Sequence, residues 1–167
     1  MNVLDDVTAL PRTGALVGLD PGTKTIGVAV SDGLRITASA LQTIRRRKFG
    51  QDAEALRGML TGRDIAGVVV GLPLNMDGSE GPRAQSSRAF ARNVANALNL
   101  PVALWDERLT TAAAERVLLE ADASRKRRKE VIDSLAAQLI LQGALDRLAT
   151  AAHAARDVAE NLSGDLE

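Results

Sequence analysis

Residues 66–72, AGVVVGL, are apolar along their whole length. A strand with one wet face alternates apolar and polar side chains. A run without alternation is covered on both sides, which predicts an inner strand of a sheet with helices on each face. The flanks agree. Ala53, Leu56, Met59 and Leu60 recur at helical spacing between residue 52 and about residue 60, so a helix leads into the buried strand as a crossover. Upstream, residues 15–20 (ALVGLD) and 26–31 (IGVAVS) read as strands, and Asp32-Gly33 is a two-residue turn signal feeding a third strand over roughly 34–44. Downstream, Pro82 suits the first turn of a helix whose inner face runs through Ala89, Phe90, Val94, Ala97 and Leu98 to Asn99. Residues 101–106 (PVALWD) predict a second buried strand. Thr110 or Thr111 caps a helix to about residue 121, a basic loop follows, and a last helix covers 131 to about 149 with Ile132, Leu135, Leu139 and Leu148 inward. The order βββαβαβαα predicts an α/β fold with one mixed five-stranded sheet, three antiparallel strands then two parallel, flanked by helices.

A chain of 167 residues, 46% hydrophobic, suits one core. The expected organisation is a domain over 13–149, with residues 1–12 and 150–167 as extensions to which the sequence assigns no role. No apolar run approaches the ~20 residues of a membrane span, and the first ten residues, MNVLDDVTAL, carry acids where a secretory signal carries bases. A cytoplasmic protein without a membrane partner is expected. Cysteine is absent and the one histidine, His153, lies in the C-terminal extension, so a metal in the domain must be held by oxygen.

Net charge is zero, which alone argues against indiscriminate nucleic-acid binding. Its distribution says otherwise. Residues 13–155 hold 19 basic and 15 acidic side chains, and base is concentrated in Arg45-Arg46-Arg47-Lys48 and in Arg125, Lys126, Arg127, Arg128 and Lys129. Such runs are solvated surface about as often as they are phosphate contacts. Aromatic residues are 2% of the chain, which disfavours base stacking as the mode of binding.

Three positions place acids at element ends. Asp20 closes the first strand and precedes Pro21-Gly22-Thr23-Lys24, a turn whose backbone can approach a ligand, although Asp-Pro-Gly also serves its own turn. Asp106 and Glu107 lie at the end of the last strand, the edge where α/β sheets place ligands. Adjacent acids project differently: Glu107 has the longer reach, whereas Asp106 equally orients Arg108 or caps the next helix. Asp133 sits in the first turn of the last helix, where capping is the ordinary role. Convergence is what raises all three. Hard divalent cations, Mg²⁺ or Mn²⁺, want carboxylate oxygens, and two of them ~3.5–4 Å apart can activate water and stabilise a leaving oxygen in phosphodiester cleavage.

The segments 18–32 (GLDPGTKTIGVAVSD), 70–83 (VGLPLNMDGSEGPR), 106–111 (DERLTT) and 132–137 (IDSLAA) together resemble the YqgF or RuvX family, the pre-16S ribosomal RNA nucleases also described as Holliday-junction-resolvase-like. Four blocks in order are far more specific than any one. The resemblance implies a ribonuclease-H-like fold, divalent-metal nuclease chemistry and maturation of the 5′ end of small-subunit ribosomal RNA, with precursor RNA and the ribosome as partners. It carries over Asp20, the pair Asp106 and Glu107, and Asp133 as the acidic cluster, with Asp20, Glu107 and Asp133 as metal ligands. Lys24 and Arg108 fall in matching motifs and are candidate phosphate contacts, as is the run 125–129. Thr25 stands where the family often has Arg. Junction resolvases of this fold also place an acid at the end of the fourth strand and two acids a turn apart on the last helix. Here the first place reads Gly71-Leu72-Pro73, and Asp133 is followed by Ala136 and Ala137.

Three other readings follow. A nuclease for branched DNA keeps the metals and changes the substrate, and substrate competition separates it. A non-catalytic RNA-binding assembly factor would retain processing when Asp20 becomes Ala. An ATPase is suggested by Asp20-Pro-Gly-Thr23, but that fold needs a second domain this chain is too short to hold.

Overall fold

The computed structural model describes residues 3–109 and 125–164, with backbone alone for 125–134. The helix expected from Thr110 or Thr111 to residue 121 lies outside the described residues. One mixed sheet of seven strands forms the centre: β1 (Val3–Leu4), β2 (Ala15–Pro21), β3 (Thr25–Ser31), β4 (Ala38–Ala40), β5 (Ile44–Arg45), β6 (Ile65–Leu72) and β7 (Val102–Asp106). Their order is β1-β7-β6-β2-β3-β4, with β5 also on β3. β2, β6, β7 and β1 run parallel, and β3 pairs antiparallel with β2, β4 and β5. The α/β mixed sheet is the one expected, with two strands more.

One added strand comes from the first dozen residues, read from the sequence as an extension. Val3 and Leu4 pair with Val102 and Ala103, and Val7 and Leu10 are buried in the core, so apolar side chains tie this segment to the sheet. The other comes from the expected third strand, which is two short pieces. Leu34 and Ile36 are exposed because the chain there is a turn wider than Asp32-Gly33. Asp32 accepts from the amides of Ile36 (2.8 Å) and Thr37 (2.9 Å), and Arg35 takes a positive φ of 59°. Its guanidinium donates to the carbonyls of Gly14 (2.6 Å) and Pro11 (2.6 Å).

Among the described residues three helices cover the sheet: α1 (Phe49–Leu60), α2 (Pro82–Leu98) and α3 (Arg125–Gly164). Strand residues alternate between two cores. Val17, Leu19, Val68, Val70 and Leu72 meet Leu56 and Leu60 of α1 and Phe90, Ala91 and Val94 of α2. Leu16, Val69 and Ala103 meet Ala137, Ile140, Leu141, Ala144 and Leu145 of α3. Each fully buried Leu or Val contributes about 1.5–3 kcal/mol relative to an exposed one. β6 feeds both cores, which is why its sequence does not alternate. α2 ends at Asn99, whose left-handed φ of 53° closes the helix.

α3 begins earlier than expected and runs on into the C-terminal extension. The basic run at 125–129, read as a loop, is helical, and the helix continues through 150–164. No glycine or proline interrupts residues 125–142. Beyond Leu148 the helix is largely exposed, carried by alanine-rich propensity and an i,i+4 pair between His153 and Asp157 at 3.7 Å. Near Gly18 the helix touches the sheet backbone: a Cβ there would lie 2.7 Å from Leu141 Cβ and 2.9 Å from the carbonyl of Ala137.

Gly18→Ala is therefore expected to lower unfolding stability by about 1–3 kcal/mol through overpacking, read as a fall in the urea midpoint at unchanged m-value. The Asp32 carboxylate is held below its ordinary range, first by the hydrogen bond from the Thr37 amide. Its contribution is present above the unfolded value of 3.8 and is lost as pH falls through the lower folded value. The melting-temperature gap between the wild type and Asp32→Ala should be open at pH 7 and shrink below about pH 4.

Candidate active site

β6 lies between β2 and β7, so the C-terminal ends of three parallel strands form one edge. Asp20 ends β2 and Asp106 ends β7, in register with Leu72. Directly after β7 a 3₁₀ turn, Glu107–Leu109, turns the chain so that Glu107 reaches back across β6. The two acids of the pair consequently diverge.

Glu107 joins Asp20. Their carboxyl groups hydrogen-bond, and burial, reinforced by the like charge of Asp20 and that hydrogen bond, pushes Glu107 up to about 8. Arg83 at the start of α2 pulls the other way. Burial and the neighbouring charge thus favour a proton between the two carboxyl groups.

Asp106 joins Arg108. Its carboxylate accepts from the Arg108 backbone N–H (3.0 Å), from Nε (3.0 Å) and from Nη2 (2.6 Å). These bonds hold its pKa below the ordinary carboxylate range. Arg108 also donates to the Met76 carbonyl at 3.3 Å, so Asp106 ties the strand end to the loop after β6. The alternative in which Asp106 orients Arg108 is the geometry seen. Lys24 is exposed in the turn after β2, and its carbonyl accepts from the Arg46 amide at 2.9 Å.

The side chains of Asp133 and of Arg125, Lys126, Arg127, Arg128 and Lys129 lie outside the described residues. Their helix is placed, however. Gln142 donates to the carbonyl of Ile36, before β4 begins, and Gln138, a turn earlier in the helix, to that of Ala38 in β4, while Ile140 packs at Gly71, near the C-terminal end of β6. α3 thus runs with its N-terminal part toward the edge that carries Asp20 and Glu107.

Sequence reasoning did not single out Gly71 as part of the site. A Cβ there would overlap Oε1 of Glu107 and come within 2.6 Å of Ile140 Cδ1. The acid of the neighbouring strand occupies the space above Gly71, the place where resolvases of this fold were expected to carry an acid of their own. The signal was in the sequence as a glycine at the end of an otherwise bulky strand, beside a Glu one residue past the next strand. Arg83 was also missed, because a single Arg in a helix's first turn is unremarkable until its distance to an acid is known.

Among the described residues no group of three or more Asp, Glu, His or Cys gathers to hold a metal. The Asp20–Glu107 pair nevertheless fits a hard cation: Mg²⁺ is commonly held by one or two carboxylates, with waters and substrate phosphate completing its shell. No helix among the described residues is long and apolar enough to cross a membrane.

A ribonuclease-H-like sheet with two carboxyl groups meeting across β6 at one edge is the architecture of a resolvase-type phosphodiester hydrolase. The fold is similar to that of Thermus thermophilus RuvC in complex with Holliday junction substrate, with a TM-score of 0.52 and 18% identity over 81% of this chain and 96% of that one. The RuvX family model, described as Holliday junction resolvase, matches residues 14–147. Relatives named "Putative pre-16S rRNA nuclease" occur in Cereibacter sphaeroides strain ATCC 17029, 67% identical over 86% of this chain and 90% of the relative, and in Paracoccus denitrificans strain Pd 1222, 67% identical over 88% and 93%. The chain belongs to the RuvX family.

Proposed function

We propose that this protein is a divalent-metal nuclease that processes the 5′ end of precursor 16S ribosomal RNA during ribosome maturation. The observation that carries the reading is the meeting of the Asp20 and Glu107 carboxyl groups above Gly71. The substrate class rests on relatives 67% identical over most of the chain. Asp20 and Glu107 would hold Mg²⁺ or Mn²⁺, with Asp133 on α3 as a further ligand. Such a cation, when bound, generates a strong nucleophile from water at neutral pH and neutralises charge developing on the phosphoryl oxygens.

The rest falls to the chain's own residues. At the Asp20–Glu107 pair, cation and proton would compete for the same carboxylate oxygens. Asp106 fixes Arg108 and, through it, the loop at Met76, which keeps the strand-end geometry from drifting. Lys24 and the basic run 125–129 would bind backbone phosphates, and the ribosome would supply the RNA in a cleavable shape. Branched DNA is the second reading, favoured by the family's description as Holliday junction resolvase.

The test is cleavage of a precursor 16S RNA fragment by purified protein with Mg²⁺ or Mn²⁺ against chelator, with four-way junction DNA as competitor. Metal-dependent cutting, reduced at least ~100-fold in Asp20→Ala, is expected. Undiminished cutting by that variant would remove Asp20 from the site. Efficient competition by junction DNA would shift the substrate to branched DNA, and binding without cutting would favour an assembly factor. Gly71→Ala should fold yet displace Glu107, weakening Mn²⁺ affinity about 10–100-fold in a titration followed by electron paramagnetic resonance.

A further inference from the structure

The run Arg45-Arg46-Arg47-Lys48 is not absorbed by the catalytic pair. Its members separate in the fold, and Arg46 alone turns toward the site edge. Its Nη1 donates to the carbonyl of Gly22 at 2.6 Å, and its guanidinium lies over the Phe90 ring, 5.4 Å from the centroid. A carbonyl on one side and an aromatic face on the other hold this cation in one orientation.

Arg46 borders a cavity of about 190 Å³ that is also lined by Gly22, Thr23, Arg83, Ser86 and Ser87. That volume is more than ten times the ~15 Å³ a single water needs. No acid lines it, and neither Arg46 nor Arg83 belongs to an ion pair among the described residues. Pro21, one residue beyond Asp20, closes the near side.

α2 begins here. Its N-cap is Gly81, no side chain caps it and no acid occupies its first turn, so its positive end is left for a ligand. Arg83, Ser87 and Phe90 follow one another on a single stripe of that helix, at spacings of four and three residues. Ser87 is 4% exposed and lines the cavity. Its hydroxyl makes no hydrogen bond among the described residues and lines the open cavity, where it can donate to a ligand. It is a donor waiting for an acceptor.

We propose that this cavity is a phosphate subsite that takes an RNA backbone phosphate next to the one cleaved, bound by Arg46, Arg83 and Ser87 at the start of α2. The proposal rests on the nuclease reading for its ligand. The subsite sets the strand's register on the Asp20–Glu107 pair. Because Arg83 also acts on Glu107, filling the subsite neutralises a charge that the carboxyl pair feels.

The test is binding of a fluorescein-labelled single-stranded precursor RNA fragment to the full chain, in EDTA so that nothing is cut, by anisotropy across a salt series. Arg46→Gln and Arg83→Gln should each weaken binding about tenfold at 100 mM salt and make the log K–log salt slope shallower by ~0.7, the value for one lost phosphate contact on a single strand. Ser87→Ala should weaken binding several-fold with the slope unchanged, and Arg156→Gln, on the exposed end of α3, should do nothing. In a scan of single methylphosphonate substitutions, wild type should lose affinity at one position beside the scissile bond, and the Arg46→Gln/Arg83→Gln double variant should lose none there. Wild-type slopes in both single variants, or an undiminished methylphosphonate penalty in the double variant, would overturn the subsite. If the slopes change as expected but wild type never cuts when metal is added, the nuclease reading falls and the subsite stands. If wild type cuts and the slopes do not change, the subsite alone falls.

Discussion

Two carboxyl groups pressed together above a glycine are the constraint on which this structure turns. Asp20 and Glu107 come from strands that are not neighbours, and β6 runs between them. They meet because residue 71 has no side chain, and because the 3₁₀ turn after β7 sends Glu107 inward while Arg108 draws Asp106 away. Burial, reinforced by the charge of Asp20, lifts Glu107 well above an ordinary glutamate. Folding thus leaves an electrostatic cost at one edge of the sheet, of the kind a divalent cation would offset.

The surrounding fold makes that arrangement rigid. β2, β6 and β7 are buried at Leu19, Val70 and Leu104, so their ends cannot drift without disturbing the core that α1 and α2 cover. α3 lies on the sheet at Gly18, two residues before Asp20, and at Gly71. Small residues thus occur where the helix must come close and where the acid must lie flat. On the other side of the turn after β2, Arg46 holds the Gly22 carbonyl and links the catalytic strand to α2. The acidic edge and the cavity lined by Arg46 and Arg83 therefore adjoin the same turn.

Much of the architecture was legible in periodicity. The unbroken apolar run at 66–72 implied a doubly covered strand because side chains on both faces need partners. Pro82 announced α2 because a residue without an N–H belongs in a first turn. Residues 34–44 look strand-like, yet Asp32 and Arg35 spend their hydrogen bonds on a wide turn. Residues 125–129 look like a charged loop, yet nothing in their backbone chemistry breaks a helix. Residues 3–10 look peripheral because two strand residues and two buried side chains are too few to produce a period. In the first and last of these a local pattern was decided by a distant partner.

The site divides the same way. The sequence by itself determined the chemistry on offer: oxygen ligands without cysteine, acids at strand ends, and motifs in an order that marks the family. Only the tertiary structure decided that Glu107, not Asp106, meets Asp20, that Gly71 makes the room, and that Arg46 leaves its basic run to face Arg83 and Ser87. The physical reason is that residue type sets what a group can bind, whereas its pKa and its partners depend on through-space distances that arise only when β2, β6, β7 and α2 are packed together.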